Sequence, residues 1–378
     1  MALSKIDVAN MLTGLVPNDN TIRRPNAKPL IINGDMQIAQ RGTSFTHANS
    51  NNNEFPVDRF QFVLGSIGEY TSTQESLSSG AAYNAGFKKA ARIDTTSAVS
   101  SPDAGDYFWF QYIMEAQDCL VFKKGTSSAE KMTVAFWVKS NKTGTGQLTV
   151  KDSDNDRQVA GTYAISSADT WEHKVINLPA DTSGAMNNDN GAGFRFEWWL
   201  GAGSSYSGGA VPTAWEARAD GDRGVSTLAI NDNTANDWAI TGIQVEVGEF
   251  SSTTLPPFQF EDTGDNLARC QRYFQMIAEG DNKSIGVGGY YTGANVGVVL
   301  DLKEEMRTTP SITQSSGANY FDIQANDSTD TFNTFTITDS TERVVRMYNN
   351  TEVSGTAGHF GMFRTSDSSA KIGLDAEL

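Results

Sequence analysis

Residues 194–200 read Phe-Arg-Phe-Glu-Trp-Trp-Leu, and this stretch decides the fold class. Every second side chain in it is apolar: Phe194, Phe196, Trp198 and Leu200. Because successive side chains of a strand point to opposite faces, the alternation predicts a β-strand with one face in a hydrophobic core. Trp199 then lies on the other face, beside Arg195 and Glu197.

Four further segments have the same strand-like pattern, at residues 133–138, 147–150, 173–178 and 239–247. The linkers between them, such as 140–146 and 180–193, are rich in Asn, Asp, Gly, Ser and Thr, which favour turns. Several short strands without intervening helices are typical of a two-sheet sandwich. We therefore predict an all-β protein with a sandwich over residues 29–262.

The remaining segments flank this sandwich. Residues 1–28 contain a short apolar stripe and are predicted to form an attachment arm. A linking helix is predicted over residues 263–280, because its apolar positions recur at spacings of three and four: Leu267, Cys270, Phe274 and Ile277. Residues 281–378 return to strand and turn patterns and predict a smaller C-terminal β domain, with strands near 285–291, 296–302, 320–323, 332–337 and 343–348.

Composition excludes several classes of function. The chain has 29 Lys and Arg against 45 Asp and Glu, a net charge of −16, which argues against binding to nucleic acid phosphates. The N-terminus lacks the pattern of a signal peptide, and no run approaches the ~18 apolar residues of a membrane span. We expect assembly in a cytoplasm and no membrane insertion. Cys119 and Cys270 are far apart and are predicted to be free thiols.

A search for catalytic and metal-binding motifs finds none that is complete. The three histidines, His47, His173 and His359, show no metal-ligand spacing. The glycine-rich stretches 201–209 and 286–293 match no phosphate loop and are interpreted as loops, although the second overlaps the predicted strand 285–291. Residues 152–156 begin like a calcium loop, but its later positions fail, which favours a hairpin tip. We predict no cofactor, no metal and no enzyme activity.

Two tryptophans are the candidate ligand-binding residues. Trp137 and Trp199 each lie on the strand face opposite the predicted core, among charged neighbours. A flat aromatic ring near polar groups suits the apolar face of a sugar. The alternative is that a long loop, the second domain or a neighbouring subunit buries both rings.

Two groups of motifs resemble those of phage tail and tail-fibre proteins. The first comprises residues 29–43 (PLIINGDMQIAQRGT) and 55–60 (FPVDRF), which resemble the family's opening and its later D-R-W/F motif. The second comprises residues 238–248 (WAITGIQVEVG), 257–260 (PFQF) and 267–274 (LARCQRYF), which resemble its ending. Residues 134–140 and 170–174 are similar to strands of jelly-roll modules related to carbohydrate-binding modules, and residues 1–5 to N-termini of marine phage tail proteins. Phe60 replaces the family's usual Trp, and residues 281–378 share only a vague β pattern.

This resemblance implies a virion component with a jelly-roll sandwich, often trimeric, and supplies no catalytic residues. It implies a tail-fibre or tail protein whose arm attaches to other virion proteins and whose β domains contact host-surface glycans. We also expect a homotrimer, because fibre proteins place three copies around one axis and because the helix and the arm offer apolar stripes that a monomer would leave exposed. Two alternatives stay open, a capsid-surface fibre or decoration protein and a glycan-degrading tail enzyme. Facing carboxylates in a groove would distinguish the enzyme.

Overall fold

The computed structural model describes residues 28–48, 54–315 and 317–378. The predicted arm at residues 1–28 lies outside these ranges except for Lys28. Within the described residues the chain is predominantly β-structure arranged in antiparallel sheets, which confirms the predicted fold class. No helix in the described ranges is long and apolar enough to cross a membrane.

The first part of the described chain forms a jelly-roll sandwich of two sheets. Its strands are β1 (Ser44–His47), β2 (Glu54–Val57), β3 (Phe60–Gly65), β4 (Glu69–Ser76), β5 (Lys89–Ser97), β6 (Tyr107–Glu115), β7 (Met132–Lys139), β8 (Gly144–Asp152), β9 (Arg157–Ile165), β10 (Glu172–Leu178), β11 (Ala192–Ala202), β12 (Glu216–Ala217) and β13 (Asp237–Val247). One sheet has the order β1-β4-β5-β13-β7-β10, and the other has the order β12-β9-β8-β11-β6-β3-β2.

Short helices connect these strands. The α-helices are α1 (Ala81–Asn84), α2 (Ser204–Ser207) and α3 (Thr263–Gln271), and 3-10 turns occur at Ala116–Phe122, Asp220–Asp222 and Ile230–Asp232. The segment that contains α2 lies over the outer face of the seven-stranded sheet.

Aromatic side chains fill the space between the two sheets. On β11, Phe196 and Trp198 point inward, as the alternation predicts, and both are fully buried. Trp198 packs edge-on against Phe136 of the opposite sheet, with ring centroids 5.7 Å apart. Offset and edge-to-face contacts of this kind stabilise a core by more than the burial of apolar area alone would. The period-two pattern of the sequence therefore marks the true core face.

The predicted linking helix is shorter than its apolar spacing indicated. Helix α3 ends at Gln271, and residues Phe274–Glu279 form a strand, β14, instead of a further helical turn. Phe274 pairs with Asp375 of the last strand, so ladder hydrogen bonds to the C-terminal domain replace helical ones. The apolar spacing within residues 267–277 did not reveal this partner, because Asp375 lies 101 residues after Phe274 in the sequence.

The C-terminal domain has its own core and two sheets. Its strands after β14 are β15 (Ser284–Thr292), β16 (Asn295–Asp301), β17 (Ser311–Gln314), β18 (Phe321–Ala325), β19 (Ser328–Phe332), β20 (Thr336–Thr338), β21 (Val344–Asn349), β22 (Phe360–Thr365) and β23 (Lys371–Asp375). A three-stranded sheet has the order β14-β23-β17, and a seven-stranded sheet has the order β19-β18-β22-β15-β16-β21-β20.

The two cysteines are free thiols, as predicted. Cys119 and Cys270 are both buried and unpaired. Burial raises the pKa of each thiol, which disfavours the reactive thiolate. Both therefore act as small apolar side chains in their clusters.

The motifs that are far apart in the sequence meet where the sandwich joins the C-terminal domain. The Asn33 side chain accepts from the Ile38 amide and donates to the Asp58 carbonyl, each at 2.9 Å, which joins the opening motif to the Asp58-Arg59 turn. The Gly34 carbonyl accepts a hydrogen bond from the Ile243 amide of the ending motif. A Cβ on residue 34 would lie 2.2 Å from the Ile243 carbonyl oxygen, so this contact requires glycine.

Arg59 is the centre of this junction. Its guanidinium is buried, forms an ion pair with Glu377 and donates to the Ile113 carbonyl at 2.6 Å. The same group lies 3.3 Å from the ring centroid of Tyr273. Arg41 adds a second ion pair, to Asp375, at 3.0 Å. These contacts tie the motifs at residues 29–43 and 55–60 to the end of β23 and to Glu377, which follows it.

A third ion pair, between Glu115 and Arg272, continues the junction from the sandwich to the residues that follow α3. Glu115 accepts from Arg272 Nε at 2.8 Å and from the Tyr273 hydroxyl at 2.5 Å. Burial alone would raise the pKa of Glu115, but the hydrogen bonds from Arg272 and Tyr273 outweigh it and lower that pKa. The carboxylate is therefore charged at neutral pH and holds the start of β14 against β6.

Replacing Arg59 tests whether the junction stabilises the fold. Arg59→Ala should lower the free energy of unfolding by about 3–5 kcal/mol, because it removes the buried partner of the Glu377 carboxylate, which keeps only a 3.4 Å ion pair with Arg41. A thermal or urea melt measures the change. The control is Arg218→Ala, which breaks an exposed ion pair with Asp156 and should cost at most about 1 kcal/mol. Equal losses in the two variants would contradict a special role for Arg59.

Candidate functional site

A groove of about 790 Å³ crosses the outer face of the seven-stranded C-terminal sheet. Gly289 of β15 and Gly297 of β16 are paired across their two strands and form its floor. On either side of this pair the next residues in register are aromatic, Phe360 on β22 and Tyr348 on β21. The sheet surface is therefore low in the middle, where no side chain projects, and high at both ends.

The long sides of the groove are also apolar. Val287 and Tyr291 flank Gly289 on β15, and Val299 flanks Gly297 on β16. Residues 287 and 291 are four positions apart along one strand, which corresponds to about 13 Å. A depression of this size suits a small ligand or a short oligosaccharide.

The walls of the groove are exposed to an unusual degree. The exposed fractions are 78% for Tyr291, 75% for Phe360 and 71% for Val287. Soluble monomers rarely expose a continuous patch of large apolar side chains unless it binds something. The inner face of the same strands is fully packed, with Val296, Val298 and Phe363 in the domain core. Burial on that face fixes the positions of the groove residues.

Close approach of the backbones requires glycine at one floor position but not at the other. A Cβ on residue 289 would lie 2.5 Å from the His359 carbonyl oxygen, so a larger residue there displaces the neighbouring chain. A Cβ on residue 297 would lie 3.3 Å from the Met347 carbonyl oxygen, which is tight but accessible. A side chain at residue 297 therefore requires a shift of a few tenths of an ångström in the neighbouring strand, and it reduces the depth of the groove.

Tyr290 supports the groove from below. Its ring points into the domain core, and its hydroxyl donates to Asp330 Oδ2 at 2.8 Å. Burial and this carboxylate raise the pKa of Tyr290, so the hydroxyl keeps its proton as a donor. The contact fixes the middle of β15, where Gly289 and Tyr291 face outward.

Trp199 lies on the outer face of its strand, as the alternation predicts, and the alternative of burial under a loop is confirmed for it, which contradicts its assignment as a ligand-binding residue. The indole is fully buried because the segment containing α2 covers it. Its ring packs against Trp109 at 4.7 Å and Tyr206 at 5.5 Å, and the Arg223 guanidinium lies 5.2 Å from its centroid. A Cβ on Gly224 would lie 2.5 Å from the ring, so glycine lets the loop reach it. Trp199 is therefore unavailable for stacking in this conformation.

Trp137 lies on the outer face of the other sheet and is half-buried. Its indole packs beside His173, with centroids 5.0 Å apart, at the edge of a small apolar cluster that includes Phe87 and Trp171. Burial, followed by the neighbouring Lys174, lowers the pKa of His173, which favours the neutral imidazole. Because Trp137 and Trp199 belong to opposite sheets, they do not form one platform. A binding role for Trp137 stays a prediction.

The other sequence motifs are structural. Residues 153–156 connect β8 to β9 as a hairpin tip, where Asp152 accepts from the Asp154 amide and pairs with the buried Lys124 at 2.6 Å. Among the described residues, no cluster of His, Cys, Asp and Glu is arranged to hold a metal ion. The interpretation of residues 286–293 as a loop is wrong for most of this stretch, because β15 extends to Thr292.

Sequence reasoning missed the groove. The signal in the sequence was the alternation of Val287, Gly289 and Tyr291 on one face of a predicted strand. Both faces of this strand are apolar or glycine, so the pattern did not show which one was exposed. Only the pairing of Gly289 with Gly297 makes a floor of the two glycines.

Comparisons with known proteins identify no sequence family. No protein-family model matches the chain, and no curated sequence is significantly similar to it. Solved structures align weakly. The enzymatically active domain of a tailspike protein from bacteriophage CBA120 aligns with a TM-score of 0.28 and 9% identity, covering 58% of this chain and 21% of that one. A carbohydrate-binding module in complex with β-1,4-galactotriose aligns at 0.26 and 9%, covering 58% and 99%. A family 11 carbohydrate-binding module from Clostridium thermocellum aligns at 0.26 and 7%, covering 55% and 96%. Similarity at this level does not establish function.

Truncating the two tryptophans tests their different burial. Trp199→Ala should reduce the free energy of unfolding by about 3–5 kcal/mol, as large-to-small changes in packed sites do. Trp137→Ala should cost distinctly less, because part of its ring already contacts water. Thermal melts of the two variants measure the difference. An unchanged melting temperature for Trp199→Ala would show that the α2 segment does not cover the ring in solution.

Proposed function

We propose that this chain is a non-catalytic attachment protein of a bacteriophage particle, part of a tail fibre, that binds host-surface glycans through the C-terminal groove. The observation that carries the proposal is the glycine floor between exposed aromatic walls. The apolar face of a sugar ring can stack on Phe360 or Tyr291, while its hydroxyls reach the polar rim and the backbone.

The composition of the groove supports binding without hydrolysis. Glycoside hydrolysis uses a pair of carboxyl groups that flank the bond to be cleaved. Within the described part of the chain, no Asp or Glu lines this groove. A sugar held there meets aromatic, aliphatic, glycine and arginine groups, which can bind it but provide no acid–base pair.

The particle context rests on the motifs shared with phage tail proteins. In the structure residues 29–43 and 55–60 contribute to the junction around Arg59, which supports a structural role for them beside a separate domain that carries the groove. Fibres carry several copies of a weak site, and multivalency raises the effective affinity without any tight single contact. A capsid-surface fibre would use the same groove in the same way, so labelled-particle imaging separates the two locations.

The homotrimer stays a prediction, but one of the two arguments for it, the apolar stripe of the helix, no longer holds. Helix α3 was expected to offer an apolar stripe to a partner subunit. Leu267 and Cys270 instead pack against Ile32 and Ile38 of the same chain. Mass measurement of the purified protein in solution determines the number of subunits.

Filling the groove tests the proposed function. Phe360→Ala removes a wall of the groove, and Gly297→Val raises its floor. The wild-type protein is first tested on a printed glycan panel to identify the oligosaccharides that it binds. Both variants should lose binding to these oligosaccharides. Phe360→Ala should lower the melting temperature by no more than a few degrees, because this ring faces solvent. Gly297→Val should lower it more, because its Cβ lies 3.3 Å from the Met347 carbonyl oxygen, but the variant should still fold. Phe260→Ala is the matched control, since it removes a half-exposed ring of the sandwich far from the groove in sequence. Glycan binding that survives both groove variants would refute the assignment.

A further inference from the structure

Arg346 is the charged side chain of the groove. It lies on β21 opposite Val299, and no other charged residue lines the groove within the described chain. Its Nη1 donates to Asp339 Oδ2 at 2.7 Å. For Nε and Nη2, no acceptor is found among the described residues. Two donors of the guanidinium are therefore available to a ligand.

The charge around the groove differs from that of the whole chain. The chain carries a net charge of −16, which repels anions at long range. Asp339 and Asp301 border this part of the sheet, and each is paired with an arginine, Arg346 and Arg343 respectively. Asp330 lies beneath the groove, where it accepts from Tyr290. Of the charged side chains in the described residues, only Arg346 lines the groove itself.

The groove is long enough to use this cation together with the aromatic wall. Phe360 and Tyr348 are separated by three interstrand spacings, about 14 Å, and Arg346 is two residues from Tyr348 on the same strand. A ligand of more than one sugar ring can therefore stack on Phe360 at one end and reach Arg346 at the other. A guanidinium matches a carboxylate by two parallel hydrogen bonds.

We infer that the glycan bound by this groove is acidic and that Arg346 binds its carboxylate, as in a hexuronic acid. This inference rests on the proposed function and adds the substrate class to it. Arg346 acts as a specificity-determining residue. Phe360 and the glycine floor hold the sugar rings whether or not they are charged.

The test compares matched ligands. A panel of uronic-acid-containing oligosaccharides is printed beside the same oligosaccharides with every carboxylate reduced to a primary alcohol. The wild-type protein should bind the acidic members at least about tenfold more tightly than the reduced ones, as expected for charge-assisted hydrogen bonds. The preference should weaken as salt is raised, because Arg346 is partly exposed to solvent.

Three variants isolate the role of the arginine. Arg346→Gln should remove the preference for acidic members. Arg343→Gln is the matched control, since it breaks a comparable exposed ion pair outside the groove lining and should leave the preference unchanged. Asp339→Asn should strengthen acidic binding a few-fold, because it removes the competing carboxylate. Asp339 has a left-handed backbone with φ of 47°, which asparagine adopts readily, so this variant should fold normally.

The outcomes separate this inference from the proposed function. Equal binding of acidic and reduced oligosaccharides, unchanged in Arg346→Gln, would overturn the inference and leave glycan binding intact. Absence of binding to every oligosaccharide would overturn both. Concentration-dependent self-association that Phe360→Ala abolishes would also overturn both, because the groove would then be an interface between copies of the chain.

Discussion

The buried guanidinium of Arg59 is the contact on which the arrangement of the two domains depends. A buried cation requires a carboxylate partner. Glu377, which follows the last strand of the C-terminal domain, is this partner for Arg59. The pairing brings β23 back to the sandwich. There β23 pairs with β14, and β14 ends the α3 helix early. One desolvated charge thus links the sandwich, the helix end and the second domain.

This junction gives the opening motif at residues 29–43 and the motif at residues 55–60 a structural role. Asn33, Gly34, Asp58 and Arg59 are used for turns, close backbone contacts and buried hydrogen bonds. Such contacts tolerate few substitutions, because an unpaired buried polar group costs the full desolvation penalty. The groove has the opposite character. Its walls face solvent and contribute little to the core, so they can change with the ligand at small cost to stability.

The candidate site shows where sequence reasoning succeeds and fails. Alternation placed Trp199 and Trp137 correctly on outer strand faces, since side-chain direction is a local property of a strand. The exposure of a side chain, by contrast, depends on which distant segments cover it. Trp199 is covered by a loop around Tyr206 and Arg223, which the alternation on β11 does not encode. Gly289 and Gly297 were visible as residues, but their pairing depends on register between strands.

The sequence by itself determined the all-β class, the core face of β11 and the absence of a complete metal motif in the chain, and it favoured free thiols. These follow from composition and from periodicities within one segment. Tertiary structure alone decided the end of α3, the burial of Trp199 and the existence of the groove. Each of these depends on contacts between residues far apart in the chain, such as Phe274 with Asp375 or Gly289 with Phe360. Backbone pairing and coverage by loops are properties of the folded chain, and no local pattern contains them.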